Sequence, residues 1–516
     1  MADTKRETER KFEFTQADKK RAKQARHEVP DLTGTAAIAA VSDQGTVDLD
    51  AVYYDTPDLR LAADGLTLRR RTGGKDEGWH LKLPVSPEVR DEVTAPLGDT
   101  LPRALAALIR SRVRDAGLEP QVRLVSSRRV SHLLDAEGAL LAELSIDAVR
   151  AERGEAAVSW TEVEVELADG AEPALLDAVE KTFRKAGLRV SDAPSKLARA
   201  LAETGATPAA RSSDAAGAEA ADDGTAGAYV LSYLWEQRDA LIAQDPAVRR
   251  SLPDSVHQMR VATRRLRSAF KTYRKVLDRA VTDPIGEELR WLAAELGVDR
   301  DQEVLLERIQ TRIGELPRTL ILGPVRGRLR VWNNSRRSDS RRRALAALDS
   351  KRYLTLLDTL DALLETPPLL KNAADPAPAV LPKAVRRDYE RLAGRVEGAL
   401  ALTPGEERDL ALHEARKAAK RARYAAEAAT PALGKPAKRM AKAMKSVQTL
   451  LGDHQDSVVA REALRGLGIQ AAGAGESAFT WGVLYAREEV QAELRERELP
   501  EVWADASDPA LRAALA

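Results

Sequence analysis

Apolar and polar positions alternate in short runs over the first two hundred residues, and from Tyr229 onward apolar positions recur at three- and four-residue spacing. The alternating runs at 52–54, 66–71, 79–83, 122–133, 140–147 and 160–167 predict strands, because successive side chains of an extended chain point to opposite faces. Turn signals such as Asp55-Thr56-Pro57, Asp64-Gly65 and Thr72-Gly73-Gly74 separate most of them. One more strand lies almost at the N-terminus, where Glu7, Glu9 and Lys11 share one face and Phe12 and Phe14 the other. Two intervening segments, 101–116 and 172–186, have helical spacing and end near Gly117 and Gly187. This part of the chain reads as an α+β domain rich in antiparallel strands, over residues 5–203.

Residues 204–227 carry almost no large apolar side chain and read as a flexible linker. An all-α domain of long Ala-, Leu- and Arg-rich helices is expected over 228–505, and it contains a repeat. His257-Gln258-Met259-Arg260 followed by Gly297-Val298-Asp299-Arg300-Asp301 recurs as His413-Glu414-Ala415-Arg416 followed by Gly452-Asp453-His454-Gln455-Asp456. The internal offsets are 40 (297−257) and 39 (452−413) residues, and the copies lie 156 apart (413−257), which predicts duplicated helical bundles.

Composition adds three constraints. A chain of 516 residues is too long for one ordinary core. It has no cysteine, which excludes disulfides and thiolate metal sites. No run of about eighteen apolar residues suggests a membrane span, so a cytoplasmic protein is expected. The net charge of +1 conceals an asymmetry: residues 228–516 hold 49 Lys and Arg against 40 Asp and Glu, or +9, leaving 32 (81−49) against 40 (80−40), or −8, for residues 1–227. The basic half expects anions, and the acidic half could hold metal cations.

The strands of the first half are charged on one face. Arg69 and Arg71 share a face, as do His80 and Lys82, then Glu143, Ser145 and Asp147, then Glu162, Glu164 and Glu166. The opposite faces carry Leu66, Leu68, Leu81, Leu83, Leu144, Ile146, Val163, Val165 and Leu167. A barrel with the apolar faces outward under covering helices would line its interior with acids and bases. Carboxylates there suit Mg²⁺ or Mn²⁺, and Arg and Lys suit non-bridging phosphate oxygens. Together these groups would neutralise charge that develops in phosphoryl transfer.

Glu7-x-Glu9-x-Lys11, Tyr53-Tyr54-Asp55-Thr56-Pro57, Leu68-Arg69-Arg70-Arg71, Trp79-His80-Leu81-Lys82-Leu83-Pro84, Glu162-x-Glu164-x-Glu166 and Ser195-Lys196 together resemble the CYTH superfamily, the triphosphate tunnel metalloenzymes. The resemblance implies an eight-stranded antiparallel β tunnel that hydrolyses triphosphates with a divalent metal. It implies Glu7, Glu9, Glu162 and Glu164, with Asp147 alongside, as metal or metal-water ligands. It implies Lys11, Arg69, Arg71, Lys82, Arg129 and Lys196 as the cations that grip substrate. Arg128 is adjacent to Arg129, and a one-residue register slip exchanges their faces. Glu143 and Glu166 fall on the charged faces as ligands or as rim charges. Tyr53, Tyr54 and Trp79 are assigned to packing and His80 to support.

In the second half, His257, Arg260, Arg264, Arg267, Lys271 and Arg274 line one side of a helix over about 26 Å at 1.5 Å per residue. His413, Arg416, Lys420 and Arg423 repeat the stripe, and Lys435, Lys438, Lys442 and Lys445 continue the spacing. Like charges this close repel unless acids or anions neutralise them. This half resembles the CHAD domain, which implies a basic groove that binds inorganic polyphosphate; Gln455 departs from the pattern where the first copy has Arg300. Few aromatics interleave with the stripes, which disfavours nucleic acid. The histidine heading each stripe is expected to strengthen anion binding below about pH 6.5.

The expected function is a metal-dependent triphosphatase for inorganic triphosphate, tethered to a polyphosphate-binding helical module and associated with polyphosphate granules. Two alternatives stand beside it: an adenylate cyclase acting on ATP in the same tunnel, and a non-enzymatic polyphosphate-binding or granule-targeting protein.

Overall fold

The computed structural model describes residues 3–14, 29–208 and 213–515, and the side chains of 298–303 and 335–340 lie outside that description. Arg300 and Asp301 of the first repeat fall among the latter. The chain divides into two compact units, Met1–Arg211 and Ser212–Ala516.

The first unit runs β1 (Asp3–Phe14), β2 (Ala40–Asp55), α1 (Arg60–Ala63), β3 (Thr67–Thr72), β4 (Gly78–Ser86), β5 (Val89–Ala95), α2 (Arg103–Val113), β6 (Glu119–Leu134), β7 (Leu140–Arg153), β8 (Ala156–Leu167), α3 (Ala174–Lys185), β9 (Leu188–Val190) and α4 (Lys196–Glu203). The strands pair antiparallel in the order β5-β4-β3-β2-β6-β7-β8-β1, and β1 returns to β5 from Asp3↔Thr94 to Thr8↔Val89. Eight strands thus close on themselves, which leaves no free sheet edge over that length. β9 adds to the far end of β1 at Phe12 to Phe14.

Two helices cover the outside of this barrel, because its outward faces are apolar. α2 buries Leu105, Leu108 and Ile109 against Leu66, Leu68, Leu81 and Leu83. α3 buries Leu176, Val179 and Phe183 against Leu144, Val163, Val165 and Phe12, with Phe12 edge-on to Phe183 at 4.8 Å. Each such Leu or Phe contributes about 1.5–3 kcal/mol on leaving water.

The inward faces change character along the strands. At one end they are apolar, with Tyr53 on β2, Val122 and Leu124 on β6, Val149 and Ala151 on β7 and Trp160 on β8. Leu197, Ala200 and Leu201 of α4 pack against them, so α4 stops the barrel from within. Ser195 caps α4 by accepting the amide of Ala198 at 3.0 Å, which places Lys196 at the first position of the helix, facing the charged part of the lumen.

The second unit is all helical. It begins with α5 (Ser213–Asp223), which lies within the segment expected as a flexible linker. The small residues there are mostly Ala, the strongest helix former, and the helix is anchored where the Ser213 amide donates to Asp239 at 2.9 Å and Ala220 is buried. There follow α6 (Ala226–Arg249), α7 (Ser255–Thr272), α8 (Arg279–Glu295), α9 (Gly297–Gly314), α10 (Val325–Asp349) and α11 (Lys351–Glu365). The second copy comprises α12 (Ala377–Leu400), α13 (Glu406–Leu433), α14 (Lys435–Gly473), α15 (Phe479–Ala506) and α16 (Pro509–Ala513). One continuous core joins the copies: Tyr273 donates to the Ala425 carbonyl at 3.0 Å, and Arg421 donates to the Lys271 carbonyl at 3.0 Å. No helix among the described residues is long and apolar enough to cross a membrane.

Candidate functional site

The charged part of the barrel lumen is a cavity of about 450 Å³. Its wall includes Glu7, Glu9 and Lys11 from β1, Arg69 and Arg71 from β3, His80 and Lys82 from β4, Arg90 and Glu92 from β5, Arg128 from β6, Glu143 from β7, Glu164 and Glu166 from β8, and Lys196 from α4. Antiparallel register stacks these groups in rings, since Lys11 lies opposite Glu164 and Glu9 opposite Glu166.

Deep in the lumen, cations hold acids tightly. Lys196 contacts Glu164 at 2.6 Å, Asp147 at 3.0 Å and Glu162 at 3.1 Å. Arg128 forks onto both oxygens of Asp147 at 2.8 Å and reaches Glu164 at 3.0 Å. Burial opposes ionisation of Glu164, but Lys11, Lys196 and Arg128 outweigh it and hold its pKa well below the usual carboxylate range. Burial likewise opposes ionisation of Asp147, and Lys196 and Arg128 again prevail.

Nearer the β1 end, the balance differs. Lys82 contacts Glu7 at 2.6 Å and Lys11 contacts Glu9 at 2.9 Å. Burial raises Glu7 to about 7 against the pull of Lys82, and Glu92 and Glu166 add to the rise. Burial also acts on Glu9, but Lys11 and Lys82 bring it down to about 2. Glu7, Glu9 and Glu166 each offer an oxygen within 4.8 Å of the others, a hard donor set of the kind Mg²⁺ or Mn²⁺ takes.

Along the neighbouring strands β4 and β5, buried His80 meets the Glu92 carboxylate at 3.0 Å through Nδ1 and the Asp76 carbonyl at 2.9 Å through Nε2. Asp76 in turn pairs with Arg71. Arg69 donates to the Tyr53 hydroxyl at 3.4 Å and contacts Glu92 at 3.4 Å. Arg90 donates to the Pro194 carbonyl at 2.8 Å and the Gly65 carbonyl at 3.3 Å, which ties the wall to the segment preceding α4.

In the helical unit, residues of both repeats converge. Lys420 on α13 is largely buried, and burial together with Arg416, Arg264 and Arg260 lowers its pKa to about 7, opposed by Asp456. The two copies build this cluster alike. The Arg260 guanidinium lies beside Gly297, where an added Cβ would meet it at 3.3 Å, and that of Arg416 lies beside Gly452, where a Cβ would meet it at 3.4 Å. His257 is half-buried on α7; burial and Lys417 lower the pKa of His413. Partial burial, Arg267 and Arg421 lower the pKa of Lys271.

A model of the CYTH domain matches residues 5–201, and a model of the CHAD domain matches residues 232–465. The chain belongs to the CYTH–CHAD family. Uncharacterized protein MT2285 and uncharacterized protein Rv2226, from two strains of Mycobacterium tuberculosis, are each 40% identical to it over 486 residues, 91% of this chain and 91% of theirs. Among solved structures, PptA from Streptomyces chartreusis is similar at a TM-score of 0.46 and 22% identity, over 54% of this chain and 99% of that one. The CHAD domain from the plant Ricinus communis is similar at a TM-score of 0.39 and 28% identity, over 57% of this chain and 92% of that one.

The CYTH tunnel brings together Glu7, Glu9, Lys11, Arg69, Arg71, Lys82, Glu164 and Lys196 as the motifs imply. Arg129 is a correction: it is exposed, opposite Ile146, while Arg128 stands opposite Asp147 and faces the lumen. Carrying the family pattern onto β6 one residue out of register misplaces it. Val122 and Leu124 point inward onto α4, and Arg128 shares their parity. Asp147 and Glu162 lie near the bottom, almost without exposure and engaged by Lys196, whereas Glu166 joins Glu7 and Glu9. Tyr53 combines packing with a tunnel-facing hydroxyl, and Trp79 is a packing residue whose indole donates to the Gly98 carbonyl at 3.0 Å.

Arg90 and Glu92 were missing from the expected set. Their strand reads Val89-Arg90-Asp91-Glu92-Val93, with charge on both faces, because the outward Asp91 pairs with Arg6 at 2.8 Å. The alternation of Arg90, Glu92 and Thr94 with Val93 and Ala95 is the signal that could have revealed it.

In the CHAD unit the stripes are not uniform. Arg260, Arg264, Arg416 and Lys420 form one cluster. Arg423 turns away to Glu427 at 2.6 Å, and Lys438, Lys442 and Lys445 stand exposed on α14.

Proposed function

We propose that this CYTH–CHAD protein is a metal-dependent triphosphatase that hydrolyses inorganic triphosphate in its tunnel, and that its helical unit binds inorganic polyphosphate. The observation that carries the first part is the single cavity in which Lys11, Arg69, Arg71, Lys82, Arg90, Arg128 and Lys196 face Glu7, Glu9, Glu92, Glu164 and Glu166. Each of these acids is held by a nearby cation, and an entering phosphate chain offers those cations a new partner. As phosphate oxygens take over Lys11 and Lys82, Glu9 and Glu7 lose the ammonium groups that hold them. Glu7, Glu9 and Glu166 are then the residues that would hold Mg²⁺ or Mn²⁺, which when bound supplies Lewis-acid charge neutralisation. Arg69 and Arg71 reach the lumen from β3 and Arg128 from β6, on either side of β2, and orient the remaining phosphate oxygens.

For the helical unit, the supporting observation is the cluster of Arg260, Arg264, Arg416 and Lys420. Four cations drawn from two repeats outnumber the nearby Asp456, 3.6 Å from Arg416, and an anion eases their mutual repulsion. A flexible polyanion held there stays close to the tethered tunnel domain, which raises its effective concentration. A granule-associated protein is consistent with that arrangement.

Phosphate release from triphosphate, measured with the full chain and Mg²⁺ or Mn²⁺, tests the enzymatic reading. Turnover no faster than that of a Glu7→Ala/Glu9→Ala variant overturns it. Formation of cyclic AMP from ATP in place of phosphate release would favour the cyclase alternative. Polyphosphate binding without any metal-dependent hydrolysis would favour the non-enzymatic one.

A further inference from the structure

A second group of metal-ligating side chains lies outside the tunnel, in the helical unit. Asp409 on α13, His454 on α14 and Glu496 on α15 come from three consecutive helices of the second repeat, and their donor atoms lie within 4.8 Å of one another. His454 is 1% exposed, in the interior of its helix. Its Nε2 stands 3.3 Å from Asp409 Oδ1 and 3.3 Å from Glu496 Oε1.

Those separations are informative. Charge-assisted N–H···O contacts to carboxylates settle at about 2.7–2.9 Å. Two ligands on a tetrahedral ion with bonds of about 2.0–2.2 Å are about 3.3–3.6 Å apart. The His454 contacts are thus long for charge-assisted hydrogen bonds and fit the edges of a coordination tetrahedron.

The outer oxygens are fixed independently. Arg461 holds Asp409 Oδ2 at 2.8 Å, and Arg408 holds Glu496 Oε2 at 3.1 Å. Each carboxylate thus has one oxygen engaged by a guanidinium and the other directed at the common point, as in sites where outer partners orient the ligands. Burial opposes ionisation of Asp409, but His454 and Arg461 outweigh it and keep its pKa below the ordinary value. The side chains of Asp409 and Glu496 retain 17% and 11% exposure, so solvent reaches both carboxylates. With Gly452 aligned on Gly297, His454 takes the place of Asp299, so the imidazole is particular to the second copy.

We propose that Asp409, His454 and Glu496 form a structural site for a divalent ion of the zinc type, which ties α13, α14 and α15 together. One imidazole and two carboxylates suit Zn²⁺, whereas Mg²⁺ and Ca²⁺ favour oxygen-only sets. The two arginines already balance the two carboxylates, so the bound ion adds net positive charge and binding is weaker than at an uncapped site.

The test uses the full chain, stripped with a chelator and reloaded with Zn²⁺ alone. Because the tunnel acids also attract cations, the Glu7→Gln/Glu9→Gln variant serves as reference. One equivalent of Zn²⁺ is expected to survive gel filtration in wild type and in the reference, and to be lost in His454→Gln and in Asp409→Asn. Zn²⁺ is expected to raise the unfolding temperature of wild type and to leave that of His454→Gln unchanged. Zinc-edge X-ray absorption of wild type, which needs no variant, is expected to show one imidazole and oxygen ligands. The proposal fails if wild type retains no zinc, if both folded variants retain the same equivalent, or if the absorption spectrum lacks imidazole scattering.

Discussion

The tunnel and the helical cluster both present cations to phosphate, and they treat the charge of those cations in opposite ways. In the tunnel, Lys11, Lys82, Lys196 and Arg128 each lie against buried carboxylates, so even largely enclosed lysines remain charged. In the helical unit, Lys420 is surrounded mainly by arginines, and its pKa falls to about 7. Enclosed charge is sustained by opposite charge, and without enough of it the most titratable member gives up its proton. A site of the first kind keeps its charge and can exchange partners; one of the second kind takes up charge when an anion arrives.

Removing the acids that the tunnel keeps near its cations should have the largest effect. Glu7→Ala/Glu9→Ala is expected to lower metal-dependent phosphate release by roughly 10³-fold, a loss of several kcal/mol. Polyphosphate retention in a filter-binding assay should stay unchanged, because the helical cluster is untouched.

A single register step should separate the next pair. Arg128→Ala is expected to reduce kcat/KM by about 10²-fold, as loss of a preorganised charged donor does. It should also cost about 2 kcal/mol of stability in a denaturant titration, since Asp147 loses a forked partner without gaining exposure. Exposed Arg129→Ala should stay within about twofold in rate.

The contrast in charge predicts a contrast in pH response. A bound polyanion raises the pKa of Lys420 above its free value of about 7. Below that value the ammonium is already present and affinity is full; above it a proton must be taken up, and affinity falls by up to tenfold per pH unit until the bound-state pKa is passed. Calorimetry from pH 6 to 8.5 should show this decline in wild type and a flat profile in Lys420→Arg. Since His413 is lowered by burial and Lys417, a gain from histidine protonation belongs further toward acid than pH 6.5.

The smallest effect concerns the glycines that seat the arginines. Alanine at Gly452 would stand in ordinary contact with the Arg416 guanidinium at 3.4 Å, while helix propensity improves by about 1 kcal/mol. Gly452→Ala should raise the melting temperature and leave polyphosphate binding within about twofold, measured on the same sample.

Most of the fold was legible in the sequence, because outward apolar faces at Leu66, Leu68, Leu81, Leu83, Val163 and Val165 alternate with charge. β5 was not, since Asp91 on its outer face answers Arg6 on a strand more than eighty residues away. α5 was missed because its small side chains read as linker, although they suffice for a helix that packs through Ala220. Within the site, alternation placed Glu7, Glu9, Lys11, Arg69 and Lys82 correctly on the inner wall. On β6 the family pattern alone did not choose between Arg128 and Arg129, and alternation gave no help because the inner face there is apolar at Val122 and Leu124 as well as charged at Arg128.

The sequence by itself determined that the N-terminal strands have one charged and one apolar face, that the helical half is duplicated, and that phosphate-compatible cations populate both. Those properties are local, set by residue spacing of two or of three to four. Tertiary structure alone decided which carboxylates meet: Glu166 with Glu7 and Glu9, and Asp147 and Glu162 with Lys196. It alone brought Arg260 and Arg264 to Arg416 and Lys420 across more than 150 residues. Barrel closure, strand register and the packing of one repeat on the other set those distances, and none of them is encoded in the spacing of residues along a single element.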